Sequence, residues 1–258
     1  MATALVTGGS SGIGYAFARK LAERGDELVL VARHEDRLRA AAETLHTTYG
    51  VTVDTVVADL SSRDDLLAVE RIFAERPIDV LVNNAGFAAH AKLLDEDWSN
   101  QAKALDVMCL AVLVLSGAAA RTMTSRGVGR IINISSVNAL IGTDNYSAVK
   151  RWMITYTQAL DLELAGTGVH ATVALPGWVK TNFHQAAGLD RPHIPGWLWV
   201  SPEEVAESVL ADADRGQVLC VPTTRWKVAA WVLRHGPDAL VKCVSNAVAS
   251  GHRERSQR

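Results

Sequence analysis

A tyrosine and a lysine, Tyr146 and Lys150, stand four residues apart in the stretch DNYSAVK. On a helix that spacing puts both on one face. Such a pair could move a proton. Free tyrosine titrates near ~10, and a neighbouring ammonium favours the phenolate, bringing the group toward the range useful for acid–base work. A carbonyl that accepts a hydride needs a proton donor of this kind at its oxygen. The same pair is also common on solvated helices, so its meaning depends on the rest of the chain.

A second stretch, TGGSSGIG, places Gly8, Gly12 and Gly14 between an apolar run and a helical pattern. At a helix N-terminus free N–H groups and the helix dipole favour an anion such as a pyrophosphate. The spacing departs from the common G-x-G-x-x-G pattern of dinucleotide folds and alone could be a flexible turn, but its place after a strand and before a helix favours the binding reading. The second strand, DELVLVAR, ends in Arg33. Many NAD binders carry an acid there for the ribose hydroxyls. A guanidinium instead suits a 2′-phosphate and can stack on adenine, which points to NADP. The bland alternative is a surface arginine at a strand end.

The elements that must hold these residues follow from the patterning. The chain has 258 residues, of which 48% are hydrophobic and 21% charged, enough for one large α/β core. A net charge near −2 gives no electrostatic case for nucleic acid. Cys109, Cys220 and Cys243 form no metal-ligand pattern and read as free thiols in a reducing compartment. There is no signal-peptide pattern at the N-terminus and no run of 18 uninterrupted apolar residues, so a cytoplasmic location is expected. Short apolar runs (ATALVTG, DELVLVAR, VTVDTVVADLS, IDVLVNNAG, GRIINISS, GVHATVALPG, QVLCVP) alternate with amphipathic stretches. Continuously apolar strands are those covered on both faces. The pattern predicts a doubly wound, Rossmann-like parallel sheet of about seven strands with helices on both faces. It is read as a single domain over 1–258, with an irregular insertion at about 177–200 and a helical tail at about 223–250.

With TGGSSGIG, NNAG and YSAVK in this order and in these places, the chain resembles the short-chain dehydrogenase/reductase family over about residues 3 to 183. The resemblance implies an oxidoreductase that interconverts a carbonyl and an alcohol. It implies that Gly8, Gly12 and Gly14, with Ser10, Ser11 and Ile13 of the same loop, cradle the cofactor. Asp59 and Leu60 would meet the adenine. Asn84, Ala85 and Gly86 would line the cofactor beside strand four. Pro176, Val179 and Thr181 would approach the nicotinamide. Tyr146 and Lys150 then become catalytic, with Ser136 as partner, and Lys150 also holds the nicotinamide ribose. Ser136 would hydrogen-bond the substrate oxygen and stabilise its developing charge. Strand alternation turns the neighbouring Ser135 the other way.

Two departures from the family pattern stand out. Only nine residues separate Ser136 from Tyr146, so the serine loop is tight. Met108 occupies the position of an asparagine that in the family anchors a relay water behind the lysine, and the nearest polar residue, Asp106, faces elsewhere. The segment WVKTNFHQAAGLDRPHIPGWLWVSP holds Trp178, Phe183, Trp197, Leu198 and Trp199, which either line an apolar substrate pocket or pack a lid on the sheet. His184 and His193 read as hydrogen-bonding loop residues. In the tail, Trp226, Val228, Ala229, Trp231 and Val232 could dock on the domain, on a partner subunit or on a membrane, with docking on protein favoured. The resemblance implies a homodimer or homotetramer built on the fourth and fifth helices. The leading expectation is an NADP(H)-dependent enzyme for a hydrophobic small molecule. The rival is an NADP-binding regulatory or scaffold protein with weakened catalysis.

Overall fold

A computed structural model describes residues 2–87, 93–181 and 195–253 of the chain. Seven strands form the main sheet: β1 (Thr3–Thr7), β2 (Glu27–Ala32), β3 (Val53–Val57), β4 (Val80–Asn83), β5 (Gly129–Ile134), β6 (Val169–Ala174) and β9 (Leu219–Cys220). All pair in parallel in the order β3-β2-β1-β4-β5-β6-β9, which is the doubly wound sheet the apolar runs predict. The central strands are buried on both faces, as in β1 and β4. The edge strand β3 is mostly exposed and keeps polar residues (VDTVV).

Helices α1 (Gly12–Glu23), α2 (Glu35–Tyr49), α3 (Arg63–Glu75), α6 (Asn145–Glu163) and α7 (Pro202–Asp214) flank the sheet. Their ends follow local chemistry. Ser62, Asp144 and Ser201 cap α3, α6 and α7 with side-chain oxygens, the last two in reciprocal capping boxes. Gly50 ends α2 with φ of 71°, a conformation that costs glycine little.

One long helix departs from regularity. It comprises α4 (Ser99–Leu105), a π-helical turn (Asp106–Leu110) and α5 (Ala111–Arg126). At the join the Ala111 N–H reaches the Asp106 carbonyl, five residues back. This helix is long and apolar enough to cross a membrane by length and composition, although it holds no run of 18 uninterrupted apolar residues. Its apolar face is used inside the protein, where Met108, Leu115, Ala119 and Met123 are fully buried.

Because β1, β4, β5 and β6 are in register, their carboxyl ends share one edge of the sheet: Val6 pairs with Val82, Asn83 with Asn133, and Ile134 with Ala174. Strand order reverses between β1 and β4. In open α/β sheets that crevice is where ligands bind. Two further strands are absent from the sequence expectation: β7 (Trp178–Val179) pairs with β8 (Trp199–Val200) and ties together the two ends of the insertion. In the tail, α8 (Thr224–His235) docks on this tie. Trp226 is buried, fills the space beside Gly177 and donates from Nε1 to the Leu198 carbonyl at 3.1 Å. Val228 and Trp231 face solvent on the other side of α8. The last helix is α9 (Asp238–Arg253).

Candidate active site

The glycine loop after β1 is held by Thr7 and Asn84. Thr7 Oγ1 accepts the N–H groups of Asn84 and Ala85 at 3.0 and 3.1 Å. Asn84 Nδ2 donates to the carbonyls of Thr7 and Gly8 at 3.0 and 3.3 Å. A side chain on Gly14 would collide with Gly8 O and Asn84 Nδ2, so this approach requires glycine. Gly8 and Gly12 have φ of 66° and 56°. No side chain caps α1 at Ser11 and no acid occupies its first turn, in contrast to the capped α3, α6 and α7. This N-terminus is therefore open to an anion.

Arg33 is exposed at the carboxyl end of β2, with no ion-pair or hydrogen-bond partner among the described residues. Sequence reasoning missed a second arginine. Arg37, in the first turn of α2, joins Ser10, Tyr15 and Thr44 around a hollow of about 310 Å³ beside the glycine loop. These residues fit a dinucleotide with a phosphorylated adenosine end: an open helix terminus for a pyrophosphate and free guanidiniums for an added phosphate.

Asp59 lies at the same edge but is engaged within the protein. Its Oδ1 accepts from Ser61 N–H and Oγ, and its Oδ2 pairs with Lys103 at 3.2 Å. Burial pushes its pKa up, yet the Ser61 bonds and Lys103 outweigh that and hold it below the ordinary value. Leu60 beside it is buried.

The fold brings the Ser136, Tyr146 and Lys150 side chains together. Ser136 begins a 3-10 turn (Val137–Leu140) and accepts the Asn138 N–H at 3.2 Å. That turn, with the Asp144 cap, makes the short serine loop compact. Ser135 points away, and its Oγ donates to the Lys150 carbonyl at 2.7 Å. Tyr146 is hydrogen-bonded to Ser136, and Lys150 Nζ lies 5.6 Å from the tyrosine ring centroid. Pro176 accepts the Val137 N–H at 3.1 Å, tying the loop after β6 to the serine loop, while Thr181 packs on Gly12.

The electrostatics differ from the expectation of a lysine-lowered phenol. Burial pushes the Tyr146 pKa well above its ordinary value, and the Ser136 bond only partly opposes this. Lys150 is 4% exposed and burial lowers its pKa to about 8. Its ammonium donates to the Ile134 carbonyl at 2.7 Å and lies over the tyrosine ring.

Met108 is fully buried. Its Sδ lies 3.0 Å from where a Cβ on Gly86 would stand, and Lys150 Nζ lies 3.7 Å from that same point. The π-helical turn thus delivers Met108 beside the lysine. Asp106 faces elsewhere and pairs with Arg63 at 3.3 Å. Phe183, His184 and His193 lie outside the described residues, as does most of the insertion.

The chain is similar to known proteins in sequence and fold. The short chain dehydrogenase family model matches residues 2–192. A 3-oxoacyl-acyl-carrier-protein reductase of Aquifex aeolicus is 33% identical over 80% of this chain and 87% of its own length. A short-chain dehydrogenase from Sphingobium yanoikuyae, solved in complex with NADPH, superposes with a TM-score of 0.82 at 32% identity, covering 91% of this chain and 94% of that one. A bulky-bulky ketone specific alcohol dehydrogenase from Comamonas testosteroni has a TM-score of 0.78 at 30% identity, covering 91% and 92%. The chain belongs to the short-chain dehydrogenase/reductase family. It is an oxidoreductase of the CH–OH/C=O class, acting on a small molecule with a nicotinamide cofactor, NAD or NADP.

Proposed function

We propose that the chain reduces a hydrophobic ketone or 3-oxoacyl thioester with NADPH. The observation that carries this is the convergence of Ser136, Tyr146 and Lys150 at the carboxyl edge of the sheet, beside an open helix N-terminus. Arg33 and Arg37 favour NADP over NAD, because both are free to take a phosphate on the adenosine. When bound, the nicotinamide supplies the hydride. Tyr146 donates its proton to the substrate oxygen. Ser136 hydrogen-bonds that oxygen and stabilises its charge. Lys150 sits buried behind the tyrosine, and binding an anionic, polyhydroxylated cofactor nearby gives its ammonium a better partner than the Ile134 carbonyl. The raised Tyr146 pKa keeps the phenol protonated, the form that a reduction consumes. Gly8, Ser10, Ser11, Gly12, Ile13 and Gly14 would cradle the pyrophosphate. Asp59 and Leu60 would meet the adenine, Asn84, Ala85 and Gly86 would line the cofactor beside β4, and Pro176, Val179 and Thr181 the nicotinamide side.

The chemical character of the relatives supports an apolar carbonyl, since one is named for bulky ketones and another for a 3-oxoacyl group. The intact serine, tyrosine and lysine weigh against a scaffold role. A homo-oligomer is supported by the outer face of α5 and α6, where Trp152 stacks on Tyr156 at 4.8 Å beside the half-exposed Leu113. Three free cysteines suit a reducing cytoplasm. The test is NADPH oxidation with a panel of aryl and alkyl ketones and 3-oxoacyl thioesters. Turnover with at least one supports the reading. No turnover with any of them, in protein that binds NADPH, overturns it.

A further inference from the structure

A cavity of about 380 Å³ lies away from the glycine loop, between α6, α8, α9 and the turn that follows Ser136. Half-buried Ile154, Leu219, Leu233 and Val241 give it an apolar wall beside its polar lining. Two guanidiniums from different helices also line it, Arg151 of α6 and Arg234 of the last turn of α8. Neither side chain makes an ion pair or hydrogen bond among the described residues. Among the described residues Asp238 is the single carboxylate in the lining, and neither arginine pairs with it.

We propose that this cavity binds an aliphatic monocarboxylate of medium chain length. Its size falls in the range of small-molecule sites, which combine apolar walls with a few polar groups. Two cations against one anion leave room for one negative charge, which favours a carboxylate over a doubly charged phosphate ester. Paired guanidiniums suit the planar fork of a carboxylate. At about 30 Å³ per water-sized group, the cavity holds on the order of a dozen non-hydrogen atoms, the size of octanoate or decanoate. The chain would lie among the four apolar residues, with the Thr155 hydroxyl beside the headgroup.

The site bears on the catalytic loop. Leu140 lies in the turn that Ser136 begins, and Leu175 precedes Pro176, which accepts the Val137 N–H. Val241, also in the lining, lies one turn before Ser245, whose Oγ accepts the Gly142 N–H at 3.3 Å.

The experiment is calorimetric titration of decanoate, below its micellar concentration, into the full chain with NADPH present. This readout is independent of turnover. The expected result is one site per chain. The paired variant Arg151→Gln, Arg234→Gln should bind at least tenfold more weakly, as should 1-decanol on the wild type. Leu233→Trp, which fills the cavity, should not bind. The two glutamine changes are at exposed positions, so folding is checked by an unchanged Tm. Absence of binding to the wild type overturns the proposal. So does undiminished binding in the paired variant or in Leu233→Trp, since that places the ligand elsewhere.

Discussion

Replacing Lys150 by methionine exchanges a buried ammonium for an apolar chain of similar length. Burial lowers the lysine from 10.5 to about 8. At about 1.4 kcal/mol per pKa unit, keeping that charge costs the cofactor-free fold about 3 kcal/mol at pH 7. Because the folded pKa lies below the unfolded one, the unfolded chain holds more proton between the two values. The cost is fully present below pH 8 and is relieved as pH rises toward 10.5. The variant escapes this cost but leaves the Ile134 carbonyl without its 2.7 Å donor, a loss of about 1–2 kcal/mol. Lys150→Met should therefore be more stable than the wild type by about 1–2 kcal/mol at pH 7, although inactive. The difference should shift by about 3 kcal/mol toward the wild type by pH 10.5, reversing the order. Urea unfolding of both proteins without cofactor, at a series of pH values, measures this directly. A difference that stays flat over that range refutes the reasoning.

Arg33→Asp should weaken NADPH by roughly 10- to 100-fold, the loss of one charge-assisted bond, and improve NADH; equal affinity of the wild type for both cofactors contradicts this. Met108→Asn restores a polar group beside Lys150 and should raise kcat by at most ~10²-fold, while a buried amide lowers stability by ~1–3 kcal/mol. A normally folded variant whose pH–rate profile overlays the wild type removes position 108 from any proton relay. Trp226→Ala empties the space beside Gly177 and breaks the bond to Leu198, costing roughly 3–5 kcal/mol. An unchanged Tm would show that α8 does not anchor the β7–β8 tie.

Much of the fold was legible because parallel strands buried on both faces are written as unbroken apolar runs. LVLV of β2 is buried throughout. The helix stops were equally plain at Gly50 and Gly166, both with positive φ. Site residues follow strand ends, so counting from TGGSSGIG, NNAG and NISS locates them. What escaped depends on partners distant in sequence. The β7–β8 tie pairs Trp178 with Trp199 across the insertion. The π-helical turn has no breaker in DVMCL, and Asp106 at its start is held by Arg63 of α3. Helical spacing put Tyr146 and Lys150 on one face, but it could not say that the ammonium would reach the Ile134 carbonyl.

The central claim is that the Tyr146 hydroxyl delivers the proton to the substrate oxygen. The most direct measurement is a single-turnover reduction by Tyr146→Phe loaded with NADPH, using the best ketone or 3-oxoacyl thioester of the panel, alongside the affinity for NADPH. Removing the phenol oxygen leaves the Arg33 side and the glycine loop untouched, so cofactor affinity should stay within about twofold. The rate should fall by at least ~10²-fold, the contribution of one acid–base group. A variant that keeps most of the wild-type rate with normal NADPH binding would contradict the account.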